Sequence, residues 1–283
     1  MKKIGFVDYY ISEYHANNYP NWIKEVCEKT GLNYQVCYAY AELDTSLIDG
    51  KDTDTWCKQF GVERCYSIEE LCQKSDYIMV LSPSFPETHL RLTEQAFPCG
   101  KRSYVDKTFA PDLQTAKEIF ACAEKYGVSF FSTSALRYAD EVCALKGVNN
   151  ISVKGGGRAF EEYVIHQIEI VVATLGVGAT QVKVDEIGEN EYMVDILFND
   201  DRHAKLHYEK SFNFEIATQT GEEKKVYEVN SAFFKNLTEK ILYFFETGEV
   251  DFKPTDTLEV MKIRDACILG KQQQLSKWIK IEK

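Results

Sequence analysis

The groups best suited to chemistry in this 283-residue chain are an imidazole in an apolar helix, a lysine after a short apolar run, and a polar stretch near the start. The segment "EEYVIHQIEIVVATLG" sets His166 among Val164, Ile165, Ile168, Val172 and Leu175, residue types made for burial. Helical spacing brings Glu162, at i−4, and Glu169, at i+3, onto the face of His166. A carboxylate one turn away can hold an imidazole in one tautomer and raise its basicity, as a general base for an alcohol proton requires. A core histidine satisfied by a neighbouring acid fits the same spacing. Lys107 follows "SYVD", a strand that would end at the carboxyl edge of a parallel sheet, where open α/β folds bind ligands. A lysine that snorkels over a strand end would look the same. The opening "KKIGFVDYYISEYHA" reads as a strand running into a helix, with Asp8, Tyr9, Tyr10 and Ser12 between them.

The elements that must position these groups fall into two halves. In the first, "KIGFV", "YQVCYAY", "DYIMVL", "SYVD" and "VSFFS" are apolar runs suited to buried parallel strands. They alternate with helical patterns over 12–29, "TDTWCKQF" closed by Gly61, a helix opened by the Ser67–Glu70 capping box, and helices over 87–97 and 112–126. Strand and helix in alternation predict a doubly wound parallel sheet. In the second half "NNISVKGGG" is strand-like and 159–175 reads as one apolar helix. The segments "TQVKVDEIG", "EYMVDILFND", "RHAKLHYEK", "SFNFEIATQT" and "KKVYEVN" alternate like antiparallel strands, with hairpin breaks at "GEN" and "NDD". Two helices near 231–246 and 255–277 close the chain. The expectation is α/β: a Rossmann-like domain over 1–132, then an α+β domain with a mainly antiparallel sheet over 133–283.

Composition narrows the function. A net charge of −11 with no lysine or arginine stripe argues against nucleic acid and anionic membranes as partners. No run approaches the length of a membrane helix, and the start carries no signal-peptide pattern, which predicts a cytoplasmic protein. Nine scattered cysteines without a C-x-x-C fit reduced thiols, with neither a disulfide framework nor a metal site expected.

Several of these segments, in this order, resemble the Gfo/Idh/MocA family of sugar and polyol oxidoreductases. The family's strand ending in Thr-Pro, helix with an early His, Gly-Lys, and strand ending in Glu-Lys-Pro have counterparts in Ser82-Pro83, His89, Gly100-Lys101 and Asp106-Lys107-Thr108. Its second-domain helix, with an Asp four residues before a His and an acid three after it, is matched by Glu162, His166 and Glu169. The resemblance implies an oxidoreductase using NAD or NADP on a hydroxyl of a sugar, polyol or related small carbohydrate. Lys107, His166 and Glu162 form the implied catalytic set. The implied cofactor contacts are Asp8, Tyr9, Tyr10, Ser12, Ser82, Pro83, His89 and Asp106. The chemistry requires the Lys107 amine and the His166 imidazole to serve one crevice. Arg137-Tyr138 matches an Arg-aromatic pair of the family, His15 a helix position used for packing, and Glu42 and Asp44 follow the second strand, where an acid would read ribose hydroxyls.

One departure bears directly on the cofactor. The family's G-x-G-x-x-G would fall on 8–12, where Asp8, Tyr10 and Ser12 stand instead. The glycines permit a tight turn and a close approach of amides to pyrophosphate, and a carboxylate there opposes phosphate charge. The alternative is therefore a binding or regulatory protein on the same scaffold that has lost the dinucleotide. In a third arrangement Tyr9 and Tyr10 flank a differently seated cofactor. Gly155-Gly156-Gly157 lacks a following Lys-Ser/Thr and reads as a flexible turn, not a phosphate loop. Tyr192, Val194, Ile196 and Phe198 make an apolar sheet face that needs a cover; a second copy of the chain would supply one, giving a homodimer or a higher homo-oligomer.

Overall fold

The computed structural model describes residues 1–145, 147–220, 223–273 and 275–281. The chain divides into two compact units. Unit 1 is Met1–Thr133 with Phe234–Asp251, and unit 2 is Ser134–Phe233 with Phe252–Lys283.

Unit 1 holds β1 (Lys2–Asp8), β2 (Tyr34–Ala41), β3 (Glu63–Arg64), β4 (Tyr77–Val80), β5 (Ser103–Val105) and β6 (Phe130–Phe131). They form one sheet in the order β3-β2-β1-β4-β5-β6, and every pairing is parallel. The order reverses between β1 and β4, and such a switch point opens a crevice beyond the carboxyl ends of the strands. Asp8 ends β1 and Ser82 lies just past β4, so both stand at that crevice. Helices α1 (Tyr14–Thr30), α2 (Thr53–Phe60), α3 (Ile68–Lys74), α4 (His89–Ala96) and α5 (Leu113–Tyr126) connect the strands. Their ends follow sequence chemistry. Asp52 and Asp112 cap α2 and α5, the Ser67 hydroxyl accepts the Glu70 amide, and Gly61 ends α2 at φ 66°. The capping box is displaced by one residue on its return arm, since the Glu70 carboxylate takes the Tyr66 amide.

A helix from far along the chain completes this unit. Helix α8 (Phe233–Thr247) stacks Phe234 on Trp22 and Phe245 on Tyr77, each pair with centroids 4.6 Å apart. Arg102 donates to the carbonyls of Phe245 and Glu246, and Lys2 pairs with Glu246 at 2.5 Å. Helix α6 (Asp140–Cys143), which follows β6 in sequence, belongs to unit 2.

Unit 2 is built on β7 (Asn150–Gly155), β8 (Ala179–Gly188), β9 (Glu191–Phe198), β10 (His203–Tyr208), β11 (Glu215–Thr220), β12 (Glu223–Glu228) and β13 (Trp278–Lys280), in the order β12-β11-β7-β10-β9-β8-β13. The pairings are antiparallel except for β7 with β10. Helices α7 (Phe160–Leu175) and α9 (Pro254–Gln273) pack on one another and on this sheet. Tyr192, Val194, Ile196 and Phe198 are buried, and Tyr192 meets Phe160 of α7 while Lys271 of α9 lies over its ring. The apolar face is therefore covered by the unit's own helices, and the burial that suggested a second copy is met within the chain.

Of the three glycines read as a flexible turn, Gly155 ends β7, and Gly156 and Gly157 after it are held by close packing. A Cβ on Gly156 would lie 1.7 Å from the Glu209 carbonyl oxygen, and one on Gly157 would meet the Tyr163 ring at 2.0 Å. Glycine is required here by close approach.

Candidate functional site

Three buried acids gather at the carboxyl edge of the unit 1 sheet. Asp8 is 1% exposed, and one carboxylate oxygen accepts the Tyr9 amide at 2.7 Å. Its other oxygen is buried without a hydrogen-bond partner among the described residues. Burial, and after it the Glu13 charge, push the Asp8 carboxyl well above the usual carboxylate range, against the Tyr9 and Ser82 amides that would lower it. Glu13 is the N-cap of α1. Its carboxylate accepts the His15 amide at 2.7 Å and also the Ala16 amide, and the residue is 4% exposed. Burial raises the Glu13 carboxyl, with the His15 charge and the two amides opposing.

A third acid, Asp106, ends the β5 run with no exposure. It pairs with His15 Nδ1 and accepts the Tyr104 hydroxyl at 3.0 Å and the Lys107 amide at 2.9 Å. Burial would raise its carboxyl, but His15, Lys107 and Tyr104 together hold it below the usual range. His15 thus pairs with a buried acid besides packing against the Tyr14, Tyr19 and Phe234 rings.

The other expected cofactor residues surround this cluster. Tyr9, Tyr10 and Phe85 form a ring cluster with centroids 5.1–5.9 Å apart. Arg91 lies over Tyr9 and grips Glu42 through two hydrogen bonds of 2.6 and 2.8 Å. Asp44 pairs with Arg64, so both acids after β2 already hold guanidinium partners. The Ser12 hydroxyl donates to Asp49. Ser82 adopts φ 62°, a left-handed conformation uncommon for serine, and its hydroxyl meets Thr88 at 2.8 Å. His89 is fully buried, with Nδ1 at the Phe109 carbonyl and Nε2 at the Leu81 carbonyl, and burial lowers its pKa. It ties the end of β4 to the segment after β5. Lys107 is half-buried, its ammonium 3.4 Å from the Pro83 carbonyl.

Unit 2 carries the imidazole. His166 is half-buried on α7, and its Nδ1 lies 2.7 Å from the Ser134 hydroxyl. That hydroxyl also accepts the Leu136 amide at 3.3 Å. The Tyr163 and Phe214 rings flank the imidazole at 5.6 and 5.9 Å. Glu169 accepts Arg137 Nε at 2.5 Å and the Ser134 amide at 3.2 Å. Arg137 is 8% exposed, with Asp256 3.6 Å away and the Phe252 ring 4.3 Å beneath it. Glu162 grips Arg158 through bonds of 2.6–3.0 Å. Sequence spacing placed both acids on the face of His166, yet each also holds an arginine, and the group on Nδ1 is Ser134, which the sequence reading did not single out. Glu13 and Phe85 were missed likewise. Glu13 left little signal in the sequence, because glutamate is not among the usual N-cap residues and the helical pattern is read from residue 12.

Among the described residues no three His, Cys, Asp or Glu side chains could hold a metal ion, and no helix is long and apolar enough to cross a membrane. All nine cysteines are free thiols.

A parallel sheet in the order 3-2-1-4-5-6 is the Rossmann-type doubly wound arrangement, here with a mainly antiparallel companion sheet. Residues 41–134 match the model of the Gfo/Idh/MocA family, described as an oxidoreductase family with an NAD-binding Rossmann fold, and the resemblance read from the motifs is upheld there. No curated protein matches the sequence. Solved structures share the fold over essentially the whole chain. Scyllo-inositol dehydrogenase from Lactobacillus casei, with bound NAD(H) and scyllo-inositol, is 13% identical with a TM-score of 0.75, covering 99% of each chain. GenD2 from gentamicin A biosynthesis, in complex with NAD, is 13% identical with a TM-score of 0.77, covering 100% of this chain and 97% of its own. A dehydrogenase (MviM) from Clostridium difficile is 12% identical with a TM-score of 0.72, covering 94% and 98%.

The family match begins at the last residue of β2 and leaves out the strand–helix turn that carries Asp8 and Glu13. In this fold a dinucleotide's pyrophosphate is received by glycine amides and the N-terminus of α1. Here the His15 and Ala16 amides are taken by Glu13 and the glycine positions carry side chains. The residues at the α1 terminus do not fit a pyrophosphate.

Proposed function

We propose that the protein is an oxidoreductase acting on a hydroxyl-bearing carbon of a small polyhydroxylated molecule, a sugar, a polyol or a relative of them. The observation that supports this reading is the 2.7 Å contact between Ser134 Oγ and His166 Nδ1. A hydroxyl oxygen has two lone pairs, so Ser134 can accept both the Leu136 amide and Nδ1–H. His166 then keeps the lone pair on Nε2, the form that removes an alcohol proton. Arg137 and Glu169 are positioning residues, since Glu169 fixes the Ser134 backbone through its amide. Lys107 is assigned the orienting role of a cation at the carboxyl edge of the unit 1 sheet, and Glu162 shapes the start of α7 through Arg158. The matched family implies NAD or NADP as hydride acceptor, and no group at the α1 terminus is given to it. A homodimer and a cytoplasmic setting are carried over from the sequence reading alone, since the apolar sheet face finds its cover within unit 2.

A second reading is favoured by Glu13 and Asp8: a small-molecule binding protein on this scaffold without a dinucleotide. One experiment separates the two. The protein is incubated with inositols, hexoses and sugar acids together with each oxidised nicotinamide nucleotide, and the reduced nucleotide is followed by its absorbance. Turnover that disappears in His166→Ala supports the first reading. Binding of a polyol, seen as a raised melting temperature, with no turnover from any pair supports the second.

A further inference from the structure

The geometry points to Glu13 as a resident occupant of the anion seat at the head of α1, a side chain that must leave before any dinucleotide can place its pyrophosphate there. The inference rests on the oxidoreductase reading for its ligand class, and concerns how that ligand is admitted. A free helix N-terminus offers unsatisfied amides and the positive end of the helix dipole, which is why phosphates settle there. In this chain the His15 and Ala16 amides both donate to the Glu13 carboxylate. That carboxylate is a phosphate-like anion supplied by the chain itself, shielded from solvent.

A second observation, independent of the helix end, points the same way. Asp8 is buried at the switch point with one oxygen unpartnered among the described residues, beside the Glu13 charge. Asp106 lies close enough for its charge to act on both. A pyrophosphate entering this cluster would bring its charge against three carboxyl groups, with the His15 pairing and the Lys107 charge at Asp106 to offset them. Wild-type protein should therefore bind nicotinamide nucleotides weakly, with the grip supplied away from the α1 amides. Replacing Glu13 by a short neutral cap takes away one carboxylate and leaves at least one of the two amides open to a ligand.

The test uses the full-length protein, with NADH and NADPH as probes read by their fluorescence on titration. Glu13→Ser keeps a capping oxygen and so preserves the helix end, while shortening the side chain out of the phosphate position. Glu13→Asn, also a good cap, repeats the test if the serine variant fails to fold. Wild type is expected not to saturate below about 1 mM. The variant, with far-UV circular dichroism and melting like wild type, is expected to bind at least about tenfold more tightly, equivalent to 1.4 kcal/mol. Micromolar wild-type binding that the variants leave unchanged or weaken overturns the inference and leaves the oxidoreductase reading standing. If neither wild type nor a folded variant binds either nucleotide, the inference falls and that reading falls with it.

Discussion

Replacing Glu169 by glutamine removes one charge and keeps the side-chain shape, so it asks what the buried Arg137 pair does for unit 2. Arg137 is 8% and Glu169 4% exposed, and the Nε–Oε1 distance is 2.5 Å. Burial works against the guanidinium, but Glu169 first and Asp256 after it raise its pKa, so it stays charged at every accessible pH. Breaking one side of such a pair costs about 3–5 kcal/mol, because the other charge is left buried and unmatched. Asp256 at 3.6 Å and the Phe252 ring remain, which puts the expected loss near the lower end, about 3 kcal/mol. In urea, with a slope of about 2 kcal/mol per molar, the unit 2 midpoint should fall by about 1.5 M. Arg137→Met should cost a comparable amount, and the double variant clearly less than the sum, since it removes both charges together. A loss under about 1 kcal/mol for Glu169→Gln, or strict additivity in the cycle, would show that the pair is not the support described.

Other outcomes follow from the same geometry. Asp8 carries a raised carboxyl pKa, so the native state holds a proton that the unfolded chain gives up near pH 4. Its contribution is full below that pH and is lost as pH rises through the raised value, at about 1.4 kcal/mol for each pH unit crossed between the two. Asp8→Asn should therefore melt higher than wild type at pH 8 and show no advantage at pH 4; equal melting at both would contradict the assigned burial. Gly156→Ala drives a Cβ into the Glu209 carbonyl and should cost more than about 2 kcal/mol, with a normal melting curve as the contrary result. Once a substrate is found, His166→Ala should lower kcat by about 10²–10⁴. Ser134→Ala should instead shift the pH profile of kcat with a smaller loss, and an unchanged profile would remove Ser134 from its positioning role.

Much of the fold could be read in advance where the local rules agree. Gly61 and Asp52 bracket α2 as punctuation predicts, and "DYIMVL" became the strand beside β1 at the switch point. The two-residue strands β3 and β6, and β13 near the end of the chain, were obscured or shortened because tertiary pairing, not propensity, defines them. The parallel contact between β7 and β10 was invisible for the same reason: alternation reports the buried face of a strand and says nothing of its neighbour's direction. At the site, helical spacing correctly grouped Glu162, His166 and Glu169 on α7. It could not show that Arg158 and Arg137 take the acids, because those partners lie outside the helix or at its approach. The apolar strand face was recognised, while its cover by α7 and α9 needed the structure.

The placement of α8 has a consequence for how the chain is born. Trp22, Tyr34 and Tyr77 belong to the first strands and helix to leave the ribosome, yet the aromatic rings of α8 that meet them come from residues 234 and 245. Domains generally fold as units during synthesis, the N-terminal one first. Here the nucleotide-type sheet must wait, with one flank uncovered, until most of unit 2 has been made. A fragment ending at Thr133 would carry that bare aromatic flank permanently.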